Sequence, residues 1–150
     1  MSKAGLLLMA TMAVAVVLTP VGLGTLAKVD KYNASLTAGQ EVPKPTGVPK
    51  GASGKFRSTG REKAGKETLT WKLTFHNLSG RATAAHIHLG KRGKPGPVAL
   101  TLCGPCKSGA HGTAKIAEKL DKALESGKAY VNVHTVKNPN GEIRGQIRHS

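Results

Sequence analysis

The stretch ETLTWKLTFHNL, Glu67 to Leu78, constrains the fold more than any other part of the chain. Leu69, Trp71, Leu73 and Phe75 alternate with Thr70, Lys72, Thr74 and His76. A period of two puts one set of side chains on a core face and the other in water, which specifies a half-buried β-strand and excludes an amphipathic helix. His76 falls on the wet face and reads as a solvated side chain. The same alternation recurs from Lys31 onward between closely spaced turn residues, the pattern of an all-β sandwich or barrel.

Tyr32, Ala34 and Leu36 mark a first strand, and Phe56, flanked by Lys55 and Arg57, a second. Between them GQEVPKPTGVPKG holds Pro43, Pro45 and Pro49 with Gly47 and Gly51, so it is a loop. Further strands are expected at Thr83 to Leu89, Val98 to Leu102, Ala129 to Thr135 and Glu142 to Arg148. The last two are joined through Asn140-Gly141, a hairpin signal. Ala117, Leu120, Ala123 and Leu124 recur instead at helical spacing, Glu118 and Lys122 can pair, and Gly127 supplies a stop. Ala117 to Ser126 is therefore expected as one short helix. The fold class that follows is an antiparallel Greek-key β-sandwich carrying one short helix.

Lys3, the apolar run Ala4 to Val17, Pro20 and the small residues up to Ala27 read as a secretory signal peptide, residues 1–27. The run is short for a membrane span, and no Cys follows it for a lipid anchor. Residues 28–150 then form one domain of about 120 residues, enough for a single core. The expected location is extracytoplasmic or secreted. The 23 Lys and Arg against 8 Asp and Glu give a formal net charge of +15. An exported chain this basic is drawn to polyanions, such as cell-surface polymers. Few aromatics and no basic recognition helix argue against specific nucleic-acid recognition.

His86 and His88 lie one residue apart in TAAHIHLG, with Ala85 and Ile87 between and before them. On a strand both imidazoles project to one face, with their Cα atoms about 7 Å apart, close enough to converge on one ion. His134 in AYVNVHT has the same parity, because Val131 and Val133 must face the core. Any outward-facing polar residues would share that parity, so it allows a common site without requiring one. A neutral three-histidine set suits copper or zinc, and the lack of a nearby carboxylate argues against calcium or magnesium.

Cys103 and Cys106 in LCGPC have the spacing of a small disulfide ring, with Gly104-Pro105 as its turn. In an exported chain such thiols end oxidised; a redox or Cu(I)-binding pair is the alternative. Lys91, Arg92 and Lys94 on the Gly/Pro loop, with Arg144 and Arg148 flanking the last strand, form a candidate contact surface for a polyanion. Asn33 and Asn77 each open an N-x-S triplet. No Ser/His/Asp or Cys/His nucleophile set and no paired carboxylates can be assembled from order and spacing.

AAHIHLGKRGKPGPVALTL together with SGKAYVNVHTVKNPNGEIRGQI resembles the CHRD (chordin-type) domain, and SLTAGQEVP and GKFRSTG fit the same family. In animals such domains occur in an extracellular antagonist of growth factors, which implies an extracellular module with a protein partner. The order of landmarks is also similar, more distantly, to the copper/zinc superoxide dismutases. Their Greek-key sandwich takes copper ligands from an H-x-H strand and a late V-x-H strand, which match His86, His88 and His134 by position. The zinc-loop histidines and aspartate of those enzymes have no counterpart, and His111 in GAHGT is the only loop histidine in order to serve as a further ligand. The functions implied are a non-enzymatic module holding copper through three histidines, a basic module for a polyanion or protein partner, or a copper enzyme dismutating superoxide.

Overall fold

The computed structural model describes residues 28–63 and 66–150. The segment read as a signal peptide, residues 1–27, lies outside the described residues. Nine strands run β1 Val29–Thr37, β2 Ser53–Lys63, β3 Lys66–His76, β4 Ala82–Leu89, β5 Val98–Cys103, β6 Ala110–Ile116, β7 Ala129–Thr135, β8 Ile143–Gln146 and β9 Arg148–His149, with one helix, α1 Glu118–Glu125. All pairings are antiparallel, in the order β5-β4-β7-β8-β1-β2-β3-β6, and β9 adds to β1.

The path bends where β8 meets β1 through the one pair Thr37–Arg144, so that β5-β4-β7-β8 folds over β1-β2-β3-β6. At the opposite side β5 and β6 come close and nearly close the barrel. Taken across that seam, the order β7-β4-β5-β6 is a Greek key, with the fourth strand returning beside the first. The expected all-β sandwich is the fold observed.

The core is what the alternation specifies. Tyr32, Ala34 and Leu36 from β1, Phe56 from β2, and Leu69, Trp71 and Leu73 from β3 meet Ala85 and Ile87 from β4 and Val131 and Val133 from β7. Ile143 and Ile147 complete the layer, and Leu120, Ala123 and Leu124 of α1 cap one end. The helix matches its expected span to a residue at each end, with Ala117 and Ser126 as its caps.

Three local features differ from the sequence expectation. The last strand is interrupted: β8 stops at Gln146, and Arg148 and His149 pair with Asn33 and Tyr32 of β1 instead. The Ala110–Ile116 segment, absent from the expected strands and with His111 read as a loop residue, is a full strand beside β3. Its inward positions are small because Trp71 fills the space beneath them; a Cβ at Gly112 would lie 2.9 Å from the indole Cζ2. Finally, β7 is buried on both faces, so the outer side of this strand is not wet. Residues 38–52, the proline-rich loop, and residues 90–97 lie over that side.

Candidate metal centre

Strands β4 and β7 pair in a register that sets His86 opposite Asn132, His88 opposite Tyr130 and Ala84 opposite His134. His86 is thus the diagonal neighbour of His134, within reach of long side chains. The ring centroids of His86 lie 4.8 Å from His134 and 5.6 Å from His88, and those of His88 and His134 are 6.3 Å apart. One ligand nitrogen from each ring falls within 4.8 Å of the others. These three histidines, alike in parity along their strands, thus form a physical cluster, the one group of this kind among the described residues.

Backbone carbonyls orient two of the rings. His88 Nδ1 lies 2.8 Å from the Gly96 oxygen, and His134 Nδ1 lies 2.9 Å from the Pro139 oxygen. A carbonyl only accepts, so each Nδ1 carries the hydrogen and each Nε2 keeps its lone pair. The His134 Nε2 lone pair meets His86 Nδ1 at 3.0 Å, whereas the buried His88 Nε2 has no hydrogen-bond partner. A buried acceptor without a partner costs about 1–3 kcal/mol. Burial, followed by the charges of His134 and His88, lowers the pKa of His86. Burial also lowers that of His134, against the Pro139 carbonyl, which acts the other way. Both rings are thereby held neutral, the form that binds metal.

Around the cluster is a polar layer that sequence reasoning missed. Tyr130 stacks on His88 with centroids 4.9 Å apart and planes 9° apart, and the Arg144 guanidinium sits 3.4 Å over the other side of the phenol. Arg144 Nη2 donates to the carbonyls of Lys91 and Lys94 at 3.1 and 2.9 Å, which holds residues 90–97 in place. Gln146 Nε2 reaches the carbonyls of Gly90, Gly127 and Ala129, each at 2.9 Å. Glu142, fully buried, accepts from Ser79 N at 2.6 Å, Thr135 Oγ1 at 2.6 Å, Asn138 Nδ2 at 3.0 Å and the Ser79 hydroxyl. Asn138 in turn bonds both backbone groups of Thr46. The segment NPNGEIRGQI is thus a scaffold that ties the 38–52 and 90–97 loops across the outer face of β7.

Other expected site residues fall elsewhere. Arg144, expected on an outward basic surface, is 1% exposed. Its charge is directed inward to Tyr130 and two carbonyls. Arg148 is exposed, and Arg92 and Arg148 line one shallow groove. Lys91, Arg92 and Lys94 are exposed on the loop. His111 is on β6 rather than in a loop, opposite Lys72 of β3 in the half of the sandwich away from β4 and β7, and does not join the histidine cluster. Cys103 and Cys106 are joined as a disulfide with Cα atoms 5.3 Å apart, and Cys106 packs in the core. Neither sulfur belongs to the histidine cluster. No described helix is long and apolar enough to cross a membrane.

No curated protein and no solved structure shows significant similarity to the chain. The family model for the CHRD domain matches residues 32–147, from the first buried residue of β1 to the last core residue after β8. With nearly the whole described sandwich covered, histidine cluster and scaffold included, the chain belongs to the CHRD domain family.

Proposed function

We propose that this protein is an exported CHRD module that binds one transition-metal ion, copper in preference to zinc, through His86, His88 and His134, without an enzymatic role. The observation that carries the reading is the way two rings are pinned by carbonyl oxygens so that each keeps an Nε2 lone pair within the cluster, that of His134 against His86 and that of His88 buried without a partner. Such outer partners fix the tautomer and orientation of metal-ligating histidines. To ligate, His86 would move its proton from Nδ1, where it now meets the His134 lone pair, to Nε2, freeing Nδ1. Three imidazoles suit copper and zinc, and copper stands higher in the affinity order for nitrogen sites.

Copper held there would supply a redox-active Lewis acid, while the chain itself supplies position, neutrality and a largely dry wall. Tyr130 fixes the His88 ring plane, and Arg144 fixes Tyr130 and the loop that carries the Gly96 carbonyl. No superoxide chemistry is assigned, because His111, the further ligand suggested by order, lies on β6 outside the cluster. Export is supported by the charged and apolar pattern of residues 1–27 and by the disulfide, a bond that persists in oxidising compartments.

The test is a copper and zinc titration of the purified chain against His86→Ala/His88→Ala/His134→Ala, read by absorption and paramagnetic resonance. One tight equivalent with nitrogen ligation, lost in the triple variant and weakened at least about tenfold in the half-buried single variant His86→Ala, is expected. Circular dichroism of each variant checks that the sandwich is intact. Equal, weak binding by folded wild type and variants would overturn the metal reading.

A further inference from the structure

The carboxylates of this chain are segregated. Asp30, Glu62, Glu67, Glu118, Asp121 and Glu125 line one cleft at the α1 end of the sandwich, and Glu41 and Glu142 are buried beside the histidine scaffold. Those are all 8 acidic residues of the sequence. Every ion pair among the described residues also lies at the α1 end, involving Asp30, Glu118 or Glu125. The outer face of β1-β2-β3-β6 is left with cations and no counter-charge.

On that face the register builds a row. Arg148 of β9 is opposite Asn33 of β1, Asn33 opposite Arg57 of β2, Arg57 opposite Lys72 of β3, and Lys72 opposite His111 of β6. Lys31 and Lys55 flank the row from neighbouring outward positions, and all of these side chains are exposed. Four strand spacings make the row about 19 Å long. Like charges directly opposite on a sheet destabilise it, and Arg57 faces Lys72 in that way. An open groove of about 710 Å³ runs along the face and continues, past Asn33 and Ser35, into the one shared by Arg92 and Arg148.

We infer that this face binds a linear acidic polysaccharide. A polymer with regularly spaced anions can meet Arg148, Arg57 and Lys72, which fall at whole multiples of the strand spacing, and it removes the repulsion between the adjacent Arg57 and Lys72. Hydroxyls of Thr59, Thr70 and Ser35 interleave the cations and suit sugar hydroxyls. A nucleic acid is less well served, because bases need aromatic platforms and Tyr32 and Trp71 are 2% and 7% exposed with their rings turned to the core. A folded protein partner would need a buried apolar anchor, which this face lacks. The face shares no residue with the histidine cluster.

The experiment measures binding of the full chain, with a chelator present, to heparin-derived and galacturonate oligosaccharides, neutral dextran, and a DNA duplex of matched charge. Arg57→Gln/Lys72→Gln is compared with Lys107→Gln/Lys119→Gln, two exposed lysines off the face that change net charge equally. Expected are binding to at least one acidic oligosaccharide and none to dextran, with a loss of at least about tenfold in the face variant against less than about twofold in the control. Affinity should fall with salt, as counterion release requires. Equal loss in both variants, or DNA bound as tightly as the acidic oligosaccharides, would overturn the inference.

Discussion

Glu41 is 1% exposed, and its carboxylate lies against Gly141 and Asn132, where a Cβ on Gly141 would come within 2.4 Å of Oε1. Burial raises its pKa to about 7, even though the Val42 N–H, the Arg144 charge and Asn132 all favour the anion. A group whose pKa is higher folded than unfolded contributes stability that is complete below the unfolded value and lost as pH rises through the folded one. Glu41 therefore weakens the fold between about pH 4.5 and 7, by on the order of 3 kcal/mol. His86 and His134 work in the opposite sense, because their lowered pKa values cost stability as pH falls below the usual histidine range. Denaturant unfolding of Glu41→Gln at pH 4.5 and pH 8 separates the two: the variant should gain on the wild type at pH 8 and not at pH 4.5. A difference that does not change with pH would show that Glu41 does not titrate in this window. The three histidines were legible in the sequence because parity along a strand is a local property. Glu41, Asn138, Glu142 and Gln146 were not, since what buries them is loops from distant parts of the chain.

Residues 90–97 behave as a lid whose position is fixed from below. His88 bonds its Gly96 carbonyl, Arg144 bonds two more of its carbonyls, and the Gly96 N–H donates to the Tyr130 hydroxyl at 3.1 Å. A Cβ at Gly96 would fall 1.6 Å from the Leu89 carbonyl oxygen, so no side chain fits without moving the loop. Gly96→Ala should weaken copper binding by about 10–100-fold, the usual cost of losing an outer-shell partner. Titration of the folded variant checks this, and unchanged affinity would mean that the carbonyl does not orient His88. Among elements, β3 and α1 were readable from their periods. Strand β6 was hidden because Ala110, Gly112 and Ala114 carry too little apolar bulk to mark a period, the volume they leave being taken by Trp71 of the neighbouring strand. The last strand's break at Ile147 was equally invisible, since Arg148 continues the alternation and merely finds a different partner.

At the scale of the molecule, charge is arranged as a basic sheet face and an acidic end. Repulsion along the Arg57–Lys72 row is screened by salt, whereas the pairs at the acidic end each have at least one exposed partner and are worth little. Raising NaCl from about 0.05 to 0.5 M, which shortens the Debye length to a few ångströms, should therefore raise the melting temperature. A drop would show that the pairs around Asp30 outweigh the row. The sign and size of the net charge were plain in the sequence, but its segregation was not, because it depends on which strands become neighbours.

The loop of residues 90–97 belongs to both regions of the molecule: its Gly96 carbonyl holds His88, and its Arg92 lines the groove that runs into the basic face. The same short loop therefore stands between the two sites, with Arg92 four residues from Gly96. Were the two coupled through it, thermodynamic reciprocity would make metal and polymer alter each other's affinity by the same factor.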